Sequence, residues 1–95
     1  MLLKDFFPTI NKKLKFINFK GICFNSHEVK KGYIFFAIKG FKTDGKKFIN
    51  EAIKNGAKII VSDNKYQGYK NKILFIKSSN PRKLLSETAS KIYKK

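Results

Sequence analysis

Cysteine and histidine are nearly absent from this sequence, which excludes two common ways of stabilising a small domain. Cys23 and His27 are the single residues of their kinds. An internal disulfide therefore cannot form, and a zinc site of ordinary Cys and His ligands cannot be assembled. We interpret Cys23 as a small buried apolar residue.

Long apolar runs are missing as well. No stretch approaches the roughly 20 residues that a membrane-spanning helix needs. Residues 1–5 are too short and too charged for a signal peptide. We therefore expect a cytoplasmic protein that has no membrane partner.

Acidic residues and arginine are scarce. Six Asp and Glu stand against 22 Lys and Arg, which gives a net charge of +16. Such a charge attracts phosphate groups, in nucleic acid or in a nucleotide. However, Arg82 is the single arginine, whereas surfaces that recognise bases favour arginine, and the lysines are spread through every segment. We expect no specific nucleic-acid partner, although a small basic nucleic-acid-binding module remains the alternative.

Aromatic residues supply much of the apolar content. The 95 residues include 10 Phe and 4 Tyr, and 42% of the chain is hydrophobic. Disordered chains lack such bulky apolar residues, and a chain of this length accommodates one modest core. We therefore expect a single folded domain.

The middle of the chain has the pattern of a β-α-β unit. Residues 33–38 and 58–62 are runs rich in aromatic and β-branched residues, which predicts two buried strands. Asp44 offers an N-cap for a helix between them, and Asn55-Gly56 offers its end. The apolar positions of this helix fall on one face, at Phe48, Ile49, Ala52 and Ile53. A parallel pair of strands follows.

The flanking segments complete the predicted fold. Residues 63–71 form a polar loop, and Asn80-Pro81 provides the N-cap and the first position of a final helix. Further extended segments are predicted at residues 16–19, 22–24 and 72–76. We expect an α/β domain of three layers, in which helices flank a mixed, mainly parallel sheet of about five strands.

Motifs for catalysis are not visible. The sequence has no Gly-x-x-x-x-Gly-Lys-Ser/Thr phosphate loop, and its periodicity brings no Ser, His and Asp together. Glu51 and Glu87 fall on predicted helices beside lysines, and we interpret both as solvated charge partners.

One ordered series of residues is more specific than any of its pieces. It comprises Phe24-Asn25-Ser26-His27, Val29, Gly32, Phe35-Phe36-Ala37, Gly40, Asp44-Gly45, Phe48-Ile49, Ala52 and Gly56-Ala57. The order and spacing resemble the N-terminal domain of Mur ligases, and the resemblance covers essentially the whole chain. Asn80-Pro81-Arg82 resembles the end of that domain. It favours the MurE type, which adds the third amino acid, over the MurF type, which adds the terminal dipeptide.

Two positions depart from the family pattern. Asn25 and His27 stand where the family usually has aspartate and arginine on either side of the serine. His27 lacks the permanent charge and the bidentate fork of arginine. A structural domain whose binding residues have decayed therefore remains a further alternative.

The resemblance implies a role for the chain. In Mur ligases this domain holds the uridine diphosphate end of the substrate, a central domain binds ATP, and a third domain receives the amino acid. We expect residues 1–95 to be one N-terminal domain whose partners are UDP-N-acetylmuramoyl-dipeptide and the remaining ligase domains. The resemblance implies ATP and magnesium for the full-length enzyme, whereas no cofactor and no catalysis are expected of this chain alone.

The resemblance also assigns candidate binding residues. Phe24 corresponds to an apolar position beside the uracil, and Ser26 to a hydroxyl that hydrogen-bonds the nucleotide. Phe41, Lys42 and Thr43 correspond to the loop near the uridine and the pyrophosphate. A loop that leads into a helix presents free backbone N–H groups to phosphate, which independently supports this segment. The alternatives are a core role for Phe24 and a turn role for Ser26.

Overall fold

The β-strands form one mixed sheet. We describe residues 1–7, 10–38, 48–63 and 66–93 of a computed structural model. The sheet they form has five strands in the order β1-β2-β3-β5-β4. The strands are β1 (Gly21–Cys23), β2 (Tyr33–Phe36), β3 (Ile59–Ser62), β4 (Gly68–Lys70) and β5 (Ile73–Lys77). All neighbours are parallel except β4 and β5, so the predicted mixed, mainly parallel sheet is confirmed.

Helices cover both faces of this sheet. The two α-helices of the described residues are α1 (Ile49–Lys54) and α2 (Pro81–Tyr93). Short 3-10 helices span Leu3–Asp5, Lys12–Leu14 and Ser26–Glu28. No helix in these ranges is both long enough and apolar enough to cross a membrane.

The core lies in two layers, one on each side of the sheet. Side chains alternate between the faces of a strand. One set of buried residues packs against α2 and the N-terminal segment, and it includes Ile34, Phe36, Ile59, Val61, Leu74 and Ile76. The other set packs against α1 and includes Phe35, Ala37, Ile60 and Ala52. The predicted three-layer arrangement is therefore confirmed.

The β-α-β unit has the predicted topology. β2 and β3 are adjacent and parallel, with Ile34 opposite Ile59. Helix α1 ends at Lys54, and Gly56 then takes a φ of +116°, which suits a residue just beyond a helix end. The predicted N-cap at Asp44 lies outside the described residues.

Helix α2 begins as predicted. The Asn80 side-chain oxygen accepts a hydrogen bond from the backbone N–H of Lys83 at 3.1 Å, and Pro81 is the first helical residue. On the buried face, the Thr88 hydroxyl donates to the Leu84 carbonyl at 2.7 Å, which satisfies a polar group inside the core.

The segment at residues 16–19, which was predicted to be extended, lies outside the five-stranded sheet. This segment lies against the N-terminal residues: Leu2 and Asn18 form an antiparallel bridge, and the Leu3 N–H donates to the Ile17 carbonyl at 3.0 Å. The side chains of Phe16 and Phe19 still differ in burial, at 73% and 1% exposed. Phe19 therefore packs in the core, although its segment lies outside the sheet.

The prediction of a polar loop at residues 63–71 missed strand β4. β4 and β5 form a hairpin in which Lys70 pairs with Ile73. The two residues between them, Asn71 and Lys72, have φ values of 51° and 68°, as a two-residue type I′ turn requires. β4 is a short edge strand with largely exposed side chains, so it has no apolar alternation that a sequence pattern would reveal.

Candidate functional site

The parallel pairing of β1 and β2 brings two chain segments to the same edge of the sheet. Phe24 follows the last residue of β1, and Ala37 and Ile38 follow the last residue of β2. Ligands of α/β sheets bind outside the carboxyl ends of the strands, where such segments meet. A groove of about 240 Å³ lies here, and we call it the β1–β2 groove; it is lined by Phe24, Asn25, Ser26, His27, Ile38 and Phe48.

Three apolar side chains form the walls of the groove. Phe24 is 63% exposed, so the alternative of a core role for this residue is wrong. Ile38 and Phe48 are half-buried. An exposed aromatic ring offers a flat face for stacking. The groove is smaller than the roughly 300 to 1,000 Å³ of a site that encloses a whole drug-sized ligand, so its size suits one ring of a larger ligand.

Ser26 is held in place by helix α1. Its side chain is 3% exposed, and its hydroxyl donates to Glu51 Oε1 at 2.6 Å. The Ser26 backbone carbonyl accepts a hydrogen bond from Asn55 Nδ2 at 2.9 Å. Both the backbone and the side chain of Ser26 are therefore tied to the helix that begins beside the groove.

Glu51 also contacts the residue after Ser26. His27 Nδ1 lies 3.1 Å from Glu51 Oε1, the same oxygen that accepts the serine hydroxyl. The interpretation of Glu51 as a solvated charge partner was therefore incomplete: its side chain is 38% exposed and pairs with His27, but it also accepts the hydrogen bond of the buried Ser26. Sequence reasoning missed this residue because it is 25 positions from Ser26. Only the packing of α1 against the 3-10 helix brings the two together.

Asn25 forms the start of the Ser26–Glu28 3-10 helix. Its side-chain oxygen accepts a hydrogen bond from the His27 backbone N–H at 3.0 Å. Asparagine and aspartate serve almost equally well in this capping position. The departure from the family pattern at Asn25 is therefore compatible with an unchanged local backbone.

Cys23 is half-buried, not fully buried as predicted, and its thiol donates to the Asn25 carbonyl at 2.9 Å. Burial raises the pKa of this thiol. The hydrogen bond to Asn25 opposes that shift, and the charge of Glu28 adds to it. Because the thiolate is the reactive form, this environment favours a structural cysteine.

Three of the predicted site residues lie outside the described residues, namely Phe41, Lys42 and Thr43. In sequence they fall between Ile38 and Phe48, which both line the β1–β2 groove. Of the predicted site residues, the structure brings Phe24 and Ser26 together in that groove.

A larger groove of about 570 Å³ lies between β1 and α2. Its lining is mainly apolar and includes Tyr33, Leu85 and Tyr93, with Glu28 and Lys30 as charged members. It has no Ser26 and no segment that follows β2. We therefore take the β1–β2 groove as the candidate site, although Phe24 borders both grooves.

The described residues do not fit an ATP and magnesium site. No three of their His, Cys, Asp or Glu side chains lie close enough together to hold a metal ion. The sequence has no phosphate loop of the Gly-x-x-x-x-Gly-Lys-Ser/Thr type. We therefore assign no step of ATP chemistry to these residues.

Together, these features define an α/β domain with a small groove at the carboxyl edge of its parallel strands. Residues 18–93 match the family model described as "Mur ligase family, catalytic domain". The chain belongs to the Mur ligase family.

Curated relatives indicate the type within the family. The chain is 48% identical over 80 residues to the UDP-N-acetylmuramoyl-L-alanyl-D-glutamate--2,6-diaminopimelate ligase of Clostridium tetani, a match that covers 81% of the chain and 16% of that protein. It is 43% identical over 76 residues to the ligase of the same name from Aquifex aeolicus, covering 80% and 15%. The chain thus spans about one sixth of the length of these relatives. The resemblance to a Mur ligase domain of the MurE type is confirmed.

Solved structures support the same fold. MurF ligase from Thermotoga maritima, solved in complex with ADP, superposes with a TM-score of 0.61 at 32% identity, over 76% of the chain and 16% of that protein. MurF from Acinetobacter baumannii gives a TM-score of 0.62 at 21% identity, over 76% and 15%, which bears on the fold alone. The MurF alternative has less support than the MurE type, because the curated diaminopimelate ligases match at up to 48% identity.

Proposed function

We propose that this chain binds the uridine diphosphate end of UDP-N-acetylmuramoyl-dipeptide, as one domain of an ATP-dependent ligase that adds the third amino acid. The observation that carries the proposal is the β1–β2 groove, which is lined by the exposed Phe24 and by Ser26, whose hydroxyl is held by Glu51. The names of the curated relatives support this substrate, and they favour diaminopimelate as the added amino acid.

Each groove residue has a role in this proposal. The Phe24 ring stacks on the uracil, and Ser26 forms a hydrogen bond to the polar edge of the base. The apolar side chains of Ile38 and Phe48 exclude water from the opposite side of the ring. Phe41, Lys42 and Thr43 contact the uridine and the pyrophosphate, where the Lys42 ammonium supplies positive charge.

The remaining parts of the reaction belong to the whole ligase. ATP and magnesium would act at residues outside this chain, where they would supply the activation of the substrate carboxylate. The role of the chain is to orient one end of the substrate. A cytoplasmic location remains a prediction from the sequence.

The experiment is a titration of the 95-residue chain with UDP, followed through amide NMR shifts, with ATP as the control nucleotide. We expect a Kd of about 1 mM, or roughly −4 kcal/mol, because most substrate contacts are missing. Shifts are expected at residues 24–27, 37–38 and 48. ATP that binds as well as UDP, or shifts that cluster at residues 66–72, would contradict the site assignment.

Matched variants separate the groove from the rest of the surface. Phe24→Ala removes the stacking ring and should weaken UDP binding by about tenfold, since a base on an aromatic ring contributes roughly 1 to 3 kcal/mol. Phe16→Ala removes an equally exposed ring that does not line the groove, and it should leave the Kd unchanged. Ser26→Ala should weaken binding by about fivefold, the usual effect of one neutral hydrogen bond.

A further inference from the structure

The hydroxyl of Ser26 is already engaged in a hydrogen bond within the protein. The hydroxyl donates to Glu51 Oε1, with 2.6 Å between the two oxygens. Asn55 Nδ2 donates to the Ser26 carbonyl oxygen at 2.9 Å. A hydrogen bond from a hydroxyl to a carboxylate is about twice as strong as one between neutral groups. A ligand in the groove would therefore have to displace this bond in order to receive the serine hydrogen.

A hydroxyl has one hydrogen and two lone pairs. Ser26 lines the β1–β2 groove, and because its hydrogen is directed to Glu51, its oxygen has only lone pairs left for a ligand there. A ligand N–H can donate a hydrogen bond to one of these lone pairs. A ligand atom with a lone pair of its own leaves both atoms unsatisfied, at a cost larger than the gain of an ordinary hydrogen bond.

We propose that Glu51 is a positioning residue that makes Ser26 a hydrogen-bond acceptor, so that the groove selects a pyrimidine whose ring nitrogen carries a hydrogen. Uracil presents such an N–H, whereas cytosine presents a lone pair at the corresponding ring nitrogen. This inference rests on the proposed function. It adds that the base donates the hydrogen bond and Ser26 accepts it.

The charge of Glu51 also orients the ligand. Its Oε1 atom lies 2.6 Å from the Ser26 hydroxyl oxygen and 3.1 Å from His27 Nδ1. A diphosphate placed at Ser26 would face this carboxylate and be repelled, because like charges at short range raise the free energy. The base therefore occupies the Ser26 end of the groove, and the phosphates lie away from Glu51.

The test compares UDP with CDP on the unmodified chain by amide NMR titration. We expect CDP to bind at least about tenfold more weakly than UDP at residues 24–27, given the usual cost of an unsatisfied polar pair. Equal affinities, with shifts from both nucleotides in the groove, would overturn the inference and leave the proposed function standing. No shifts in the groove from UDP would overturn both.

Variants at position 51 test whether the glutamate sets this preference. Glu51→Ala frees the Ser26 hydroxyl to donate to cytosine, so the CDP to UDP ratio of Kd values should fall to about threefold or less. Glu51→Gln retains an oxygen that accepts the serine hydrogen, so it should keep the ratio close to the original. Glu87→Ala removes an exposed carboxylate on α2 and should change nothing.

The pattern across these variants decides the outcome. A folded Glu51→Ala chain with an unchanged ratio would show that Glu51 does not orient the hydroxyl. A ratio lost equally in the Ala and Gln variants would also overturn the inference, because a merely structural disturbance predicts that result. If the amide spectrum shows that Glu51→Ala does not fold, the unmodified chain and Glu51→Gln still test the inference, because a ratio near one in either of them would overturn it.

Discussion

Replacement of Gly56 by alanine should destabilise the domain strongly. Gly56 follows α1 with a φ of +116°, a backbone conformation that favours glycine. A Cβ atom at this position would lie 2.7 Å from the Cα and 2.8 Å from the backbone N of Lys31. The Gly32 N–H donates to the Gly56 carbonyl at 2.9 Å, so the turn that contains Gly32 and the turn that contains Gly56 are already in close contact. The added atom meets backbone that cannot rotate away.

The expected loss combines two effects. A residue with a side chain in a disfavoured backbone region costs about 1 to 3 kcal/mol. Overpacking against fixed atoms costs about 1 to 3 kcal/mol more. Together they lower the free energy of unfolding by roughly 2 to 6 kcal/mol, against about 5 to 14 kcal/mol for a chain of this length. The turn also sets where α1 packs, and therefore where Glu51 meets Ser26.

Urea unfolding followed by circular dichroism measures this loss, and Gly68→Ala is the matched control. Gly68 has a φ of +130°, but an added Cβ would lie 3.7 Å from the Tyr66 hydroxyl oxygen, an ordinary contact. It should therefore show the strain alone, about 1 to 3 kcal/mol. If Gly56→Ala costs no more than Gly68→Ala, the close approach of the two turns does not limit stability, and the reasoning is refuted.

Three further results are expected. Asn80→Ala should lower the free energy of unfolding by about 1 kcal/mol through loss of the cap on Lys83 N–H, while Ser79→Ala should be nearly neutral in the same urea assay. Because burial raises the pKa of Cys23, its thiolate fraction at a given pH is lower in the folded chain; iodoacetamide should react faster after unfolding in urea, and equal rates would contradict this. Binding to DNA or RNA should be weak, independent of sequence and lost near physiological salt, whereas a sequence-specific complex of about nanomolar affinity at that salt would refute our interpretation of the lysine charge.

Much of the fold was predictable because its determinants are local. The apolar runs at residues 33–38 and 58–62 lie on a buried parallel sheet, where both faces of each strand are covered. Asn80-Pro81 begins a helix because a side-chain oxygen and a proline ring act within one turn of the chain. These patterns fit their elements with no knowledge of distant residues.

Local patterns were least informative where they had two interpretations. The composition of residues 16–19 predicts an extended segment but not its partner, which is the N-terminal segment instead of a strand of the sheet. β4 has the composition of a loop because an edge strand exposes most of its side chains. By composition Phe24 fits either a core position or a binding position, and its place after the end of β1 leaves the ring exposed.

By itself, the sequence determined the class of fold, because that depends on short-range periodicity. Its resemblance to Mur ligases, carried by an ordered series of residues, indicated the family and made Phe24 and Ser26 candidate binding residues. Tertiary structure alone decided what the Ser26 hydroxyl does. Its partner, Glu51, is on a helix 25 residues away, and the two meet only because α1 packs beside the carboxyl end of β1. A hydrogen bond depends on atoms within about 3 Å, and no spacing rule along the chain encodes a contact between elements that only the sheet brings together.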